Sequence, residues 1–310
     1  FAQITPGFCA LAFSPADKGG SAVMNFLAKF ERSMALGAAC FRVLMMDKEM
    51  LVFPLLSLLA LGVLFAAGFG PLATSGQLEV FRQMLEENPD VTQEPWFLAA
   101  LFGVYFVCYF VVIFFNAALV TCAMIRFAGG DPTVMDGLRS SVRTLPNILA
   151  WSLFAASIGF ILSMIEDRSK GLARFVMGLI GTGWKVATYF AVPVLVVERV
   201  GPIEAVSRSI GILRKTWGEA LISHFGLSAL YLIPVAGGFL FAFAGGAQFD
   251  VRPLFASVLW VMAVVFVFLS TLVISTLGSI LKAALYVYAV EGTLPSGTFD
   301  NRLISDAFKD

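Results

Sequence analysis

Apolar and polar positions fall along this chain in long blocks. From Trp96 to Ile125 there is no charged residue, a run longer than the roughly 20 residues a helix needs to cross the hydrocarbon layer of a bilayer. The same reading along the chain predicts six spans: about Leu51 to Phe69, Trp96 to Ile125, Leu145 to Ile165, Phe175 to Val197, Ala220 to Ala244 and Leu254 to Tyr288. Lipid offers no partner to an open backbone, so the expected fold is all-α and integral to the membrane. The predicted membrane domain covers residues 24–290. Residues 1–23, rich in Pro, Gly and Ser, read as a disordered tail with Met24 a candidate start, and residues 291–310 read as a cytoplasmic segment.

Between the apolar blocks the pattern changes to short amphipathic segments introduced by Gly129, Gly130 and Pro132, and again by Gly201 and Pro202. Glycine accepts turn conformations and proline is tolerated in a first helical turn, so these positions predict elbows where one helix stops and another starts. In the second elbow Ile203, Val206, Ile210 and Leu213 recur at helical spacing, while Glu204, Arg208 and Lys215 point elsewhere, as in a helix lying in the headgroup plane. The segments from Met124, Val194 and Tyr286 each run from an apolar helix through a Gly/Pro turn into mixed polarity. Phe30 to Leu51 matches the latter half of the second. The chain therefore reads as one unit built three times, an amphipathic elbow helix plus two spans.

Charge refines this picture. Lys29, Arg32, Arg42 and Lys48 precede the first span, Arg126, Arg139 and Arg143 follow the second, and Arg199, Arg208, Arg214 and Lys215 follow the fourth. Lys282, Arg302 and Lys309 go with the far end of the last span. The other side holds fewer, Arg82, Arg168, Lys170, Arg174 and Arg252, which predicts both termini in the cytoplasm. The acidic first connection, with Glu79, Glu86, Glu87, Asp90 and Glu94, is expected to pair with the basic third connection. Arg42, Arg139, Arg143, Arg208, Arg214 and Lys215 are the candidate lipid-headgroup contacts, each adding about 1 kcal/mol of attraction to an anionic leaflet. Glu198 is expected to form an ion pair across its elbow with Arg208 or Arg214.

Composition agrees with a membrane protein: 59% of residues are hydrophobic and 14% charged, against about 25% charged in soluble domains. Equal numbers of acidic and basic residues select no partner, and nucleic acid is not expected. The four cysteines and the single His224 show no metal-ligand or disulfide spacing, and no phosphate-binding glycine loop occurs. Neither an enzyme, a cofactor nor a metal site is expected.

Polar residues inside the spans supply the candidate ligand site. Lys185 sits near the middle of the fourth span, where an ammonium costs at least about 2.5 to 3.5 kcal/mol. Thr182, Lys185 and Tyr189 share one helical face by their three- and four-residue spacing, as do Thr271, Ser275, Gly278 and Lys282 in the sixth span, and the second contributes Asn116. These residues predict a polar cleft between even-numbered spans, centred on Lys185 and suited to an anionic or amphiphilic ligand. Ala155 with Gly159, Gly178 with Thr182 and Gly238 with Ala242 are the predicted close-packing seams.

The stretches RSMALGAACFRVLMMDKEMLVFPLLS, NAALVTCAMIRFAGGDPTVMDGLRSS and FAVPVLVVERVGPIEAVSRSIGILRKTWG resemble an uncharacterised, domain-of-unknown-function family of six-span bacterial inner-membrane proteins. They are also distantly similar to the membrane domain attached to some glycerophosphoryl diester phosphodiesterases. The resemblance implies a fold and a bacterial inner membrane, with no activity. The reading from sequence is thus a non-enzymatic membrane factor that binds lipids or a partner complex through basic elbows. A small permease using the polar cleft is the alternative.

Overall fold

The computed structural model describes residues 37–215, 232–249 and 252–292. The predicted tail, the cytoplasmic end segment, His224 and the first part of the predicted fifth span lie outside these. Among the described residues every regular element is a helix.

A short helix α1 (Gly37–Met46) leads through a 3-10 turn into α2 (Val52–Thr74). Gly76, with φ of +73°, reverses the chain into α3 (Gln77–Glu87), an exposed helix in which Arg82 pairs with Glu79 at 3.7 Å and Glu86 at 3.2 Å. The acidic connection thus satisfies its arginine within its own helix; among the described residues no pair joins it to the third connection. The hub of the fold is α4 (Pro95–Phe127), followed by α5 (Val134–Arg143) and α6 (Leu145–Arg168). Then come α7 (Leu172–Ala187), α8 (Ala191–Val197), α9 (Pro202–Lys215), α10 (Leu232–Gln248) and α11 (Pro253–Glu291). Five stretches, Lys48–Thr74, Pro95–Phe127, Leu145–Glu166, Ala173–Val197 and Pro253–Glu291, are long and apolar enough to cross a membrane. The described part of the predicted fifth span is the 17-residue α10, a shorter apolar helix.

Packing is concentrated at one end. The second half of α4, from Ile113 to Phe127, is largely buried, as are α8 and the stretch of α11 from Leu272 to Val287. The first halves of α4 and α11 carry exposed residues such as Leu101, Val104, Val261 and Val264, as expected of helices whose solvent is lipid. Burial is deepest where the elbows lie.

Two kinds of contact draw the helices together. The first is small residues. A Cβ placed on Gly137 of α5 would lie 2.7 Å from the Phe53 ring, 2.8 Å from the Ala118 carbonyl oxygen and 2.9 Å from Cys122 Sγ, so α5 rests directly on the α4 backbone. Gly238 and Gly245 do the same for α10, where an added Cβ would meet Val267 and Trp260 of α11. Ala242 is exposed, and its carbonyl accepts a hydrogen bond from Trp260 Nε1 at 3.1 Å. Of the other predicted seams, Ala155 is buried and Gly159 abuts Tyr105, whereas Gly178 faces open space and Thr182 is exposed.

The second is a buried ion pair. Arg126, in the last turn of α4, donates from Nε and Nη2 to both carboxylate oxygens of Asp47, just after α1, and from Nη2 to Asp131 at 2.6 Å. The Asp47 side chain is 5% exposed and that of Arg126 16%, so this two-pronged contact is largely removed from water. Next to it Cys40 of α1 is fully enclosed, and burial pushes its thiol up to about 12, leaving it a small apolar group.

The elbows share a backbone device. Gly129 (φ +82°), Arg199 (φ +53°) and Gly292 (φ +73°) each adopt the left-handed conformation just past the end of a long or span-forming helix. In the sequence each stands three residues before a proline: Pro132, Pro202 and Pro295. After Gly129, α5 starts with a capping box, the Asp136 N–H donating to Thr133 Oγ1 at 3.2 Å and the Thr133 N–H to Asp136 Oδ2 at 3.1 Å. The predicted apolar stripe of α9 is displaced: Ile203 is 76% exposed, and the buried face is Ala205, Ser209, Ile212 and Leu213. Small Ala205 and Ser209 let α9 approach α8 more closely than the branched residues would.

Three outcomes follow for thermal unfolding of the purified protein. Asp47→Asn, which leaves Arg126 without its buried counter-charge, costs about 3 kcal/mol, while the double change Asp47→Leu with Arg126→Met recovers most of it. Gly137→Ala forces a shift against backbone and costs about 1–3 kcal/mol, whereas Gly178→Ala is neutral or slightly stabilising. Gly129→Ala lowers stability by about 1 kcal/mol and Arg199→Gly raises it by a similar amount, because only glycine holds a positive φ without strain.

Candidate functional site

A cavity of about 850 Å³ lies between α2, α4 and α11, reaching α10 at Gly238. Phe115, Leu119 and Leu272 form apolar wall, and the exposed Leu58, Val264 and Phe268 stand on its lipid-facing rim. Its polar lining includes Ser57, Asn116, Tyr189, Thr271, Ser275, Ser279 and Lys282. A mostly apolar chamber with a few convergent polar groups is the usual form of a small-ligand site.

Lys282 is the charge in that lining. It lies on α11 one face down from Thr271, Ser275 and Gly278, by steps of four, three and four residues. Its Nζ sits 5.3 Å from the centroid of the Tyr189 ring, a cation–π contact. Among the described residues no carboxylate pairs with it. In the same lining Asn116 Oδ1 is enclosed with no hydrogen-bond partner among the described residues. By charge Lys282 goes with the residues beyond the last span, although it also falls inside the predicted sixth span, Leu254 to Tyr288; α11 places it within the helix, running on to Glu291 with its cap at Gly292. Nine residues at 1.5 Å put Lys282 about 14 Å inside the helix end. The signal was present, since no proline and a single glycine, Gly278, stand between Pro253 and Gly292.

Lys185 and Thr182 do not line the cavity; both are exposed on α7. The reason is a break in the fourth span. The helix ends at Ala187 and restarts at Ala191, with Tyr189 and Phe190 in the turn between. Pro193 has no N–H to offer the Tyr189 carbonyl, which favours interruption here. Tighter bonds, Tyr189 N–H to the Val186 carbonyl at 3.1 Å and Ala191 N–H to that of Thr188 at 3.0 Å, close the turn. The Phe190 N–H donates to Ser209 Oγ of α9 at 3.1 Å, so a broken backbone inside the bundle keeps its partners. The break separates Tyr189 from the face it would share with Lys185 in a continuous helix. Of the predicted cleft residues, Asn116, Tyr189, Thr271 and Ser275 meet around one cavity, with Lys282 in the central position expected for Lys185.

On the elbow side, Arg208 Nε donates to both oxygens of Glu198 at 2.9 Å, and the Tyr286 hydroxyl donates to Glu198 Oε1 at 2.9 Å. This is the ion pair expected across the turn. The hydrogen bond it donates to Glu198 raises the Arg208 guanidinium above its ordinary value. Arg139 and Arg143 of α5 line a second cavity of about 310 Å³ together with Arg199, Thr121, Ser140 and Asp136. Hydrogen bonds from the Thr133 side chain and backbone hold the Asp136 carboxyl below its usual range, so it is ionised at neutral pH. Arg42, Arg214 and Lys215 are exposed and belong to neither cavity. Among the described residues no group of three or more His, Cys, Asp or Glu side chains gathers at metal-binding distance.

The length and apolarity of its helices make the chain a multi-pass membrane protein. No curated protein and no solved structure matches it. Residues 96–297 match a family of unknown function, DUF6159, and the chain belongs to that family.

Proposed function

We propose that this protein is a non-enzymatic bacterial inner-membrane protein that takes an amphiphilic anion, of the kind a lipid or fatty acid presents, into the cavity between α2, α4 and α11. The observation that carries this reading is Lys282. A cation this far inside an apolar helix is costly, and here it has an aromatic face but, among the described residues, no carboxylate, while it lines a chamber of about 850 Å³. An anionic head seated against Lys282, with Asn116, Thr271 and Ser275 offering hydrogen bonds, supplies the missing charge. The apolar walls and the exposed rim at Val264 and Phe268 suit an acyl tail entering from the bilayer.

In this reading the fold is six spans in three repeated units, with both termini in the cytoplasm. The matching left-handed positions three residues before Pro132, Pro202 and Pro295 support the repeat. The excess of Lys and Arg on the elbow side supports the orientation. Docking of lipids or a partner complex through the basic elbows ranks second, because Arg208 is engaged by Glu198; Arg42, Arg214 and Lys215 remain exposed for it.

Purification into native-lipid discs followed by mass spectrometry checks the proposal. One dominant amphiphilic species is expected on the wild-type protein. Lys282→Gln lowers its occupancy about tenfold, the equivalent of one charge-assisted contact of ~1.4 kcal/mol, and Lys185→Gln leaves it unchanged. Equal occupancy in Lys282→Gln and wild type overturns the cavity reading, and a co-purifying protein in place of the amphiphile turns it toward the elbow-docking role.

A further inference from the structure

We infer that Arg139, Arg143 and Arg199 form a second, separate site on the elbow side that binds a phosphoryl group. The three guanidinium groups come from two distant segments, α5 and the turn between α8 and α9, and line one cavity of about 310 Å³ with the Thr121 and Ser140 hydroxyls. Thr121 Oγ1 donates to the Ala117 carbonyl at 2.9 Å and can accept from the Ser140 hydroxyl at 3.2 Å, which fixes both hydroxyls on the cavity wall. Among the described residues none of the three arginines is in an ion pair. Asp136 is the single carboxylate in the lining, and it is held by Thr133, whose hydroxyl reaches its Oδ2 at 2.6 Å.

Three cations against one anion leave the site with a surplus of two positive charges. A phosphomonoester carries about −1.5 to −2 at neutral pH and so matches that surplus, where a carboxylate covers only half of it. The planar guanidinium fork also fits phosphate oxygens geometrically in a way a lysine cluster does not.

Arg199 supplies an independent argument. At the equivalent place of the other two elbows the chain has Gly129 and Gly292, which tolerate a positive φ; here an arginine is held at φ +53°. Asn147 Nδ2 donates to the Arg199 carbonyl at 2.7 Å and locks the conformation. Strain retained at a position where glycine would relieve it points to a use for the side chain, and that side chain lines the cavity with Arg139 and Arg143. The phosphoryl group could come from a lipid headgroup at the membrane surface or from a soluble phosphate compound, and the chemistry of recognition is the same.

The test uses the purified full chain in phosphatidylcholine discs, where the lipid's own choline offsets its phosphate, and reads the thermal midpoint and the apparent Kd. Inorganic phosphate is titrated in one arm, and phosphatidic acid is doped into the discs in the other. Stabilisation in either arm, weakened tenfold or more by Arg199→Gly and by Arg143→Gln and unchanged by Arg174→Gln at the opposite end, establishes the site. The responding arm then identifies the source. Arg199→Gly is itself expected to be at least as stable as wild type, so a loss of response in it is not a loss of fold. No stabilisation of the wild type in either arm, or a response that persists in both pocket variants, or one lost equally in Arg174→Gln, overturns the inference.

Discussion

The carboxylate of Asp47 seated in the fork of Arg126 is the contact on which the rest of this structure depends. It neutralises the charged end of α4, the helix that packs against α2, α5, α6, α8 and α11. Without it a guanidinium 16% exposed would keep as its counter-charge the carboxylate of Asp131, whose side chain is 92% exposed. With it, the segment after α1 is tied to the point where the chain turns through Gly129 into α5, and α5 settles onto the α4 backbone through Gly137. A pair between the second elbow and the end of α11, Glu198 with Arg208 and Tyr286, closes the other side of the same end.

The larger cavity lies beyond the elbow contacts, between Asn116 of α4 and the stretch of α11 from Ala263 to Lys282, and lipid, being as apolar as the side chains around it, gives no hydrophobic reason to close it. A lysine can occupy such a place because the ring of Tyr189, presented by the break between α7 and α8, covers part of its charge. The break costs little, since Ser209 of α9 accepts the Phe190 N–H. The elbow helix therefore does more than lie against the membrane surface: it completes the backbone of a span.

The two cavities divide the chemistry by depth. One is a large apolar chamber with a single interior cation and neutral hydrogen-bonding groups, the other a small polar recess with three arginines near the helix ends. Their linings share no residue, although α4 contributes to both, through Asn116 and Leu119 on one side and Thr121 and Ile125 on the other.

By itself the sequence determined the helical class, the apolar blocks and the elbows, because each rests on local physics: a charge-free run long enough for a bilayer, a glycine or proline that ends a helix, a carboxylate ten residues from an arginine across a turn. It also marked Asn116, Tyr189, Thr271 and Ser275 as polar positions in apolar surroundings. Which lysine joins them was a tertiary decision. The spacing of Thr182, Lys185 and Tyr189 implies a shared face only in a continuous helix, and the interruption before Pro193, made tolerable by a hydroxyl from α9, separates them. In the same way the helical stripe of α9 predicted Ile203 inward, while contact with α8 selected the smaller Ala205 and Ser209. Local periodicity states which residues can share a face; only packing between distant segments decides where that face points and which charge it meets.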